Sequence, residues 1–311
     1  MPRRAPITPV VLCGGKGSRL WPLSRPERPK PLLPLGAGAS LLADTLDRFE
    51  LRRGYGPPLL VCAAASADLV ASAHPDLETL VETDPSGTAA AVLAAAAHLP
   101  QDRVMLVVPA DHAIGDAAAL HEAVDAGAPV ASGGAIVLFG LAPQHAETGF
   151  GWIVPGREIG GGVRRVERFE EKPTAARAGE LFATGALWNS GMFLLVAGTA
   201  LDVARRLGLP PLGRLHGSFD RVVVENAPDV AVAPVDLDWS DLGTWEVLRS
   251  RNGQRSRHAL FPGEAVPSGE IRVLDGKVED GRAGPYGAIV EAFPEGEAGT
   301  SKKFTSPSAR E

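Results

Sequence analysis

Residues 14–35 (GGKGSRLWPLSRPERPKPLLPL) gather five cations, Lys16, Arg19, Arg25, Arg28 and Lys30, against a single acid, Glu27. The apolar run Val10–Cys13 leads straight into Gly14, Gly15 and Gly17. A strand followed by glycines gives a loop without side-chain bulk, whose N–H groups can come close to an anion. Pro22, Pro26, Pro29, Pro31 and Pro34 stiffen the stretch and argue against a helix across it. A rigid, basic, glycine-led loop of this kind is suited to holding phosphates. Its spacing is neither that of a P-loop nor Gly-x-Gly-x-x-Gly. From the local physics alone, a basic surface turn after an edge strand remains the alternative.

Further along lie groups that would complement such a loop. Asp111, in Pro109–His112, directly follows the apolar run Val104–Val108. A carboxylate beside phosphates suits Mg²⁺, which binds oxygen ligands together with substrate phosphates. A turn or helix-cap aspartate is the equal alternative, and His112 serves only to shape the loop. Asp241 sits in a glycine-containing turn between Trp239 and Trp245, with Asp236 and Asp238 as competitors. Two acids can neutralise one divalent cation, which in turn draws in phosphates. Glu171–Lys172 taken alone is a solvated surface pair. Gly149, in Glu147–Gly151, lets backbone approach a ligand closely. Gly87 and Thr88 open an alanine-rich helix, where free N–H groups can meet a nucleotide.

The elements that must position these groups alternate between strand and helix. Leu59–Cys62, Val104–Val108 and Ile136–Leu141 read as strands buried on both faces. Leu41–Leu51, Ala67–Ala73, Thr88–Leu99 and Asp116–Ala126 read as helices. Repeated βα units imply a mainly parallel sheet covered on both sides, with ligands outside the carboxyl ends of its strands. Beyond Gly140 the pattern becomes more antiparallel, with strands at Thr148–Val154, Val163–Phe169 and Leu187–Val196 and helices at Thr174–Phe182 and Thr199–Leu207. After about Asn252 the texture turns glycine- and proline-rich, with only Glu270–Leu274 and Ala288–Phe293 strand-like. Residues 1–251 are therefore expected to form one large α/β domain. Residues 252–311 form a short extension, partly disordered.

Composition bounds the function. The 311 residues carry a net charge of −6, so the basic cluster is local and counts against nucleic acid as a partner. Apolar residues at 45% support a sizeable core, and no run is long enough to span a bilayer. Cys13 and Cys62 both lie in apolar runs and read as reduced, packed thiols of a cytoplasmic protein.

The whole string 14–35 resembles the signature of sugar-phosphate nucleotidylyltransferases, and Leu20–Arg25 is most similar to the mannose-1-phosphate guanylyltransferase branch. Further matches run along roughly residues 8 to 250: Pro109–His112, Glu147–Gly151, Phe169–Pro173, Leu187–Phe193 and Trp239–Trp245. The resemblance implies an α/β, Rossmann-like (glycosyltransferase-A-like) three-layer fold with a mixed, mainly parallel sheet. It implies transfer of a nucleotidyl group from GTP to α-D-mannose 1-phosphate, releasing pyrophosphate. Leu12, Gly14, Gly15, Gly17, Ser18, Arg19, Lys30, Gly87 and Thr88 would meet the nucleotide. Gly149, Glu171, Lys172 and Asn189 would meet the sugar phosphate, with Arg19, Lys30 and Lys172 supplying the catalytic charge. Asp111 and Asp241 would hold Mg²⁺. A homodimer is compatible with this assignment.

Three departures stand out. Pro85–Ala89 replaces the Gly-Arg-Asn-Thr-Ala of large bacterial relatives, which bears on the choice of base. Pro31 stands where that branch usually has Gln. Gly217–Glu225 is a loosened form of another motif, keeping Asp220 and Glu225. Two alternatives stay open: another pair such as glucose 1-phosphate with dTTP or UTP, or a catalytically quiet nucleotide-sugar-binding subunit.

Overall fold

The computed structural model describes residues 6–15, 17–20, 23–35, 39–49, 54–83, 86–244, 247–248, 271–275 and 288–292. Lys16, Trp21, Pro22, Asp84, Pro85 and Trp245 of the sequence motifs lie outside the described residues, as does most of the 252–311 extension. The chain runs through β1 (Thr8–Leu12), α1 (Leu41–Asp47), β2 (Leu59–Ala63), α2 (Ala67–Ala73), β3 (Glu78–Glu82), α3 (Thr88–His98) and β4 (Val104–Pro109). It continues with β5 (Ala113–Ile114), α4 (Ala117–Ser132), β6 (Ile136–Leu141), β7 (Gly151–Gly160), β8 (Val163–Glu171), α5 (Ala175–Ala183) and β9 (Leu187–Val196). Last come α6 (Ala197–Arg206), α7 (Phe219–Val222), β10 (Val230–Pro234), β11 (Trp239–Ser240), β12 (Ile271–Asp275) and β13 (Ala288–Ala292).

Contacts divide the chain into two units. The first comprises Met1–Gly14, Thr45–Ala110 and Ile114–Trp239; the second comprises Gly15–Asp44, Asp111–Ala113 and Ser240–Glu311.

The first unit is built on a nine-stranded sheet in the order β3-β2-β1-β4-β9-β6-β10-β8-β7, with β7 also pairing with β9. β1 runs parallel to β2 and β4, β2 to β3, and β6 to β10. β9 enters antiparallel between β4 and β6, and β7 and β8 continue antiparallel, so the sheet is mixed. Side chains alternate across a strand, and both faces are packed. Val10, Leu12, Met105, Val107, Leu138 and Phe193 meet the small buried residues of α3, with α6 and α7, on one face. On the other face α4 lies against β6 and β9, beside Val137 and Leu194. Helix, sheet and helix make the expected three layers.

The second unit has its own apolar cluster: Leu20, Leu23, Leu33, Leu35, Leu41, Leu242 and Leu248. Across the described part of the proline-rich stretch the helical segments are two single 3₁₀ turns, Ser18–Leu20 and Lys30–Leu32, with Arg25 and Arg28 bridging between them. β12 and β13 pair as an antiparallel ladder from Ile271↔Ala292 to Asp275↔Ala288.

Several elements differ from expectation. β3 and β10 are strands that the sequence pattern does not announce. α1 ends at Asp47, not Leu51, and β7 runs Gly151–Gly160 rather than 148–154. α4 continues past Ala126 to Ser132, through Gly127 and Pro129. Among the described residues no helix is long and apolar enough to cross a membrane. Cys13 and Cys62 are both buried thiols outside any disulfide.

Candidate functional site

In the second unit three motifs far apart in sequence converge on one ammonium. Lys30, nearly buried, donates from Nζ to Asp111 Oδ2 at 2.8 Å and to the Asp241 carbonyl oxygen at 2.6 Å. The turn holding Asp241 is set by two side chains. Ser240 Oγ accepts the Leu242 N–H at 3.1 Å and Asp241 Oδ1 accepts the Gly243 N–H at 3.0 Å. Leu242 sits at φ 46, a left-handed conformation uncommon outside glycine. A Cβ placed on Gly243 would meet the Asp241 carboxylate and lie 3.1 Å from Arg19 Nη2, so the Arg19 guanidinium reaches the same corner. His112 Nε2 stands 4.0 Å from Asp111 Oδ1. Gly17 has φ 59, and a Cβ there would lie 2.8 Å from Lys30 Cβ and clash with Ser24. Only glycine lets the loop close this tightly over Lys30.

The donor set of this cluster fits a hard divalent cation. The Asp111 carboxylate and the Asp241 carbonyl oxygen flank a point already taken by a positive charge, and oxygen ligands of this kind suit Mg²⁺. Among the described residues no group of three or more His, Cys, Asp or Glu could hold a metal by itself.

The first unit holds the remaining candidates. β1 ends at Leu12, a buried core residue whose carbonyl accepts the Ala110 N–H at 3.0 Å; a Cβ on Gly14, just beyond it, would meet only open space. At one edge of the sheet, β7 opposite β8 pairs Gly151 with Glu171, and β7 opposite β9 pairs Trp152 with Trp188. This register brings the Gly149 loop, Glu171–Lys172 and Asn189 together. Glu147 Oε1 accepts the Gly149 N–H at 2.6 Å, and Trp152 Nε1 donates to the Glu147 carbonyl at 2.8 Å. Glu171 has its side chain nearly buried and pairs at 3.0 Å with the exposed ammonium of Lys172. Lys172 is held at φ 51, and its N–H donates to the Phe150 carbonyl at 3.2 Å. Outliers of this kind persist where surrounding structure over-determines them.

Asn189 is buried on β9. Its Nδ2 donates to Asp220 Oδ1 at 2.6 Å, while its Oδ1 accepts the Gly191 N–H at 3.3 Å. Burial pushes the Asp220 carboxyl up to about 6, with the Glu171 charge adding to the rise and the Asn189 bond and Lys172 opposing it. The sequence motifs give Asp220 no role. Nothing in the spacing ties residue 189 to residue 220; only the fold does.

At the start of α3, Gly87 has φ 124 and a Cβ on it would strike the Gly217 backbone. Thr88 Oγ1 accepts the Phe219 N–H at 2.9 Å, Ala89 N–H donates to the Gly217 carbonyl, and Gly217 N–H donates to the Ser86 carbonyl. The helix start is thus laced to the segment leading into α7.

Comparison with known proteins agrees with this architecture. The chain belongs to the nucleotidyl transferase family, whose pattern it matches over residues 8–256. It is 32% identical over 295 residues to a mannose-1-phosphate guanylyltransferase of Sinorhizobium fredii, covering 84% of this chain and 58% of the relative. A mannose-1-phosphate guanylyltransferase of Escherichia coli is 34% identical over 301 residues, covering 84% of this chain and 63% of that protein. The chain thus spans about three fifths of the length of these curated relatives. A crystal structure named as a mannose-1-phosphate geranyltransferase of Thermus thermophilus superposes with TM-score 0.72 at 34% identity, covering 82% of this chain and 81% of the other.

Proposed function

We propose that the chain transfers a guanylyl group from GTP to α-D-mannose 1-phosphate, giving GDP-mannose and pyrophosphate in the cytoplasm. The observation that carries this reading is the convergence of three motifs on Lys30, with Asp111 and Asp241 both bonded to its ammonium. The curated relatives it resembles are named for mannose 1-phosphate and a guanylyl group.

The residues divide the work by charge. In-line transfer between phosphates needs positioning and positive charge around the reacting phosphorus more than covalent help. Arg19 and Lys30 hold the triphosphate and favour the departing pyrophosphate, and Gly14, Gly15, Gly17 and Ser18 offer backbone N–H groups to the same anion. Gly87 and Thr88 lie toward the nucleotide. Lys172 seats the incoming sugar phosphate, while Glu171, Asn189 and the Gly149 backbone take the hexose hydroxyls. Asp111 and Asp241 would hold Mg²⁺, which when bound neutralises phosphate charge. Lys30, bonded to Asp111 in this structure, would offer its ammonium to a phosphate oxygen of the bound nucleotide.

The test is a matrix of four nucleoside triphosphates against mannose, glucose and N-acetylglucosamine 1-phosphates, followed by pyrophosphate release. Mannose 1-phosphate should be strongly preferred over the other sugars, with looser discrimination among bases. Faster turnover of glucose 1-phosphate than of mannose 1-phosphate would sink the assignment.

A further inference from the structure

We propose that Asp220 is a positioning residue for hexose recognition, fixing which end of the Asn189 amide is presented to the sugar. The inference rests on the sugar-side role given above to Glu171, Lys172 and Asn189.

An asparagine amide is nearly symmetric in shape, and only its hydrogen bonds decide where nitrogen and oxygen lie. An ionised carboxylate can only accept. Asp220 Oδ1, 2.6 Å from Asn189 Nδ2, therefore compels the nitrogen to face α7. The Gly191 N–H, which can only donate, draws Oδ1 the other way. The two contacts agree, so one orientation is selected. They leave one N–H and one oxygen lone pair of Asn189 in set directions. A hydroxyl can be read by such a pair as donor and acceptor at once, which is what distinguishing hexose epimers requires.

Asp220 is itself held from the nucleotide-side loop. Its neighbour Phe219 donates to Thr88 Oγ1, and Ser218 Oγ accepts the Arg221 N–H at 3.3 Å, so α7 is pinned at its first turn. From the far side Arg221 Nη2 donates to the Glu171 carbonyl at 3.2 Å, and Glu225 Oε1 accepts the Glu171 N–H at 3.5 Å. The segment 217–225 thus ties Glu171 and Asn189 to one brace. The charges acting on Asp220 are Glu171 and Lys172 at the end of β8, which oppose each other.

The experiment compares wild type, Asp220→Ala and Asp220→Asn by calorimetric titration with mannose 1-phosphate and separately with GTP, and by steady-state kinetics across pH. Asp220→Ala should raise KM for mannose 1-phosphate about tenfold or more, leaving KM for GTP within about twofold. Asp220→Asn keeps the shape and an acceptor but no longer forbids the flipped amide. Its KM should fall between the two, and its preference for mannose over glucose 1-phosphate should narrow. In wild type the sugar-phosphate KM should rise below about pH 6, where a protonated Asp220 can donate to a flipped amide; that rise should be smaller in Asp220→Asn. Unchanged sugar affinity in Asp220→Ala, or equal losses for sugar and GTP in both variants, would overturn the proposal. Failure of wild type to bind mannose 1-phosphate would instead overturn the functional reading beneath it.

Discussion

Lys30 Nζ lies 2.8 Å from Asp111 Oδ2 although the two residues are 81 positions apart, and the lysine side chain is only 7% exposed. A buried ammonium is tolerated because the carboxylate and the Asp241 carbonyl replace its water. Lys30→Met removes the cation and keeps most of the volume. It should lower turnover by on the order of 10²–10³, the usual cost of losing one stabilising charge at a reacting phosphate. Mn²⁺ affinity of the nucleotide-free variant, measured by calorimetry, should not fall, because Asp111 is then released from its competitor. Weaker Mn²⁺ binding would show that Lys30 organises the acids instead of competing for them.

Asp111→Asn and Asp241→Asn each remove one charge while preserving shape. Both should lose roughly 10²–10³ in turnover, with part regained at raised Mg²⁺ or with Mn²⁺. Near-wild-type rates at low Mg²⁺ would rule the pair out as cation ligands. The melting temperature should hardly change in Asp241→Asn, which keeps the backbone carbonyl bonded to Lys30, but should fall in Asp111→Asn, which strips the buried ammonium of its carboxylate.

Gly17→Ala tests the tight loop. The new Cβ combines a left-handed backbone with a 2.8 Å approach to Lys30 Cβ. Strain of about 1–3 kcal/mol is expected, and relief by moving Lys30 should show as a raised KM for the triphosphate. An unchanged KM with full stability would mean that the loop has room to yield.

Thr88→Val deletes the acceptor for the Phe219 N–H without changing size. Leaving that donor unsatisfied should cost about 1–3 kcal/mol of stability. The sugar-phosphate KM should rise along with that of the nucleotide, although the sequence motif ties Thr88 to the nucleotide alone. A purely nucleotide-side defect would contradict the brace.

Asp220 also makes a stability signature. Its carboxyl ionises near 3.8 ordinarily but at about 6 in the fold. Between those values the folded chain binds more protons than the unfolded one, so stability falls as pH rises from about 4 to about 6 and then levels. Asp220→Asn lacks this contribution. The gap between variant and wild type in denaturant unfolding should move in favour of the variant across that window, by on the order of 2 kcal/mol. A constant gap from pH 4 to 7 would refute the raised value.

The strands legible from sequence are those buried on both faces. Val10, Val11, Leu106 and Val137 belong to continuous apolar runs with no competing period. β3 is not legible because it is an edge strand bounded by Glu78 and Glu82, with Val81 exposed. In α4, Gly127 and Pro129 read as terminators, so the sequence pattern stops the helix too early. The fold instead uses Gly127 for close packing: a Cβ there would lie 3.1 Å from Val137 Cγ1. Among the candidate site residues, motifs single out Lys30, Asp111, Asp241 and Asn189 one by one. Their partners stay hidden, since contacts such as Lys30 with Asp241 join positions 211 apart and follow only from topology.

The reversed strand β9 has a consequence for how the chain is made. β4 must wait for residues 187–196 before its second edge is paired, and β6 waits for the same strand. During synthesis the parallel block β1–β4 can assemble early, but it carries an open hydrophobic edge until residues 187–196 have emerged. Long-range closure of this kind slows folding. Substitutions that weaken β9 should therefore first appear as lower yield and aggregation in the producing cell, before purified protein shows any loss of activity.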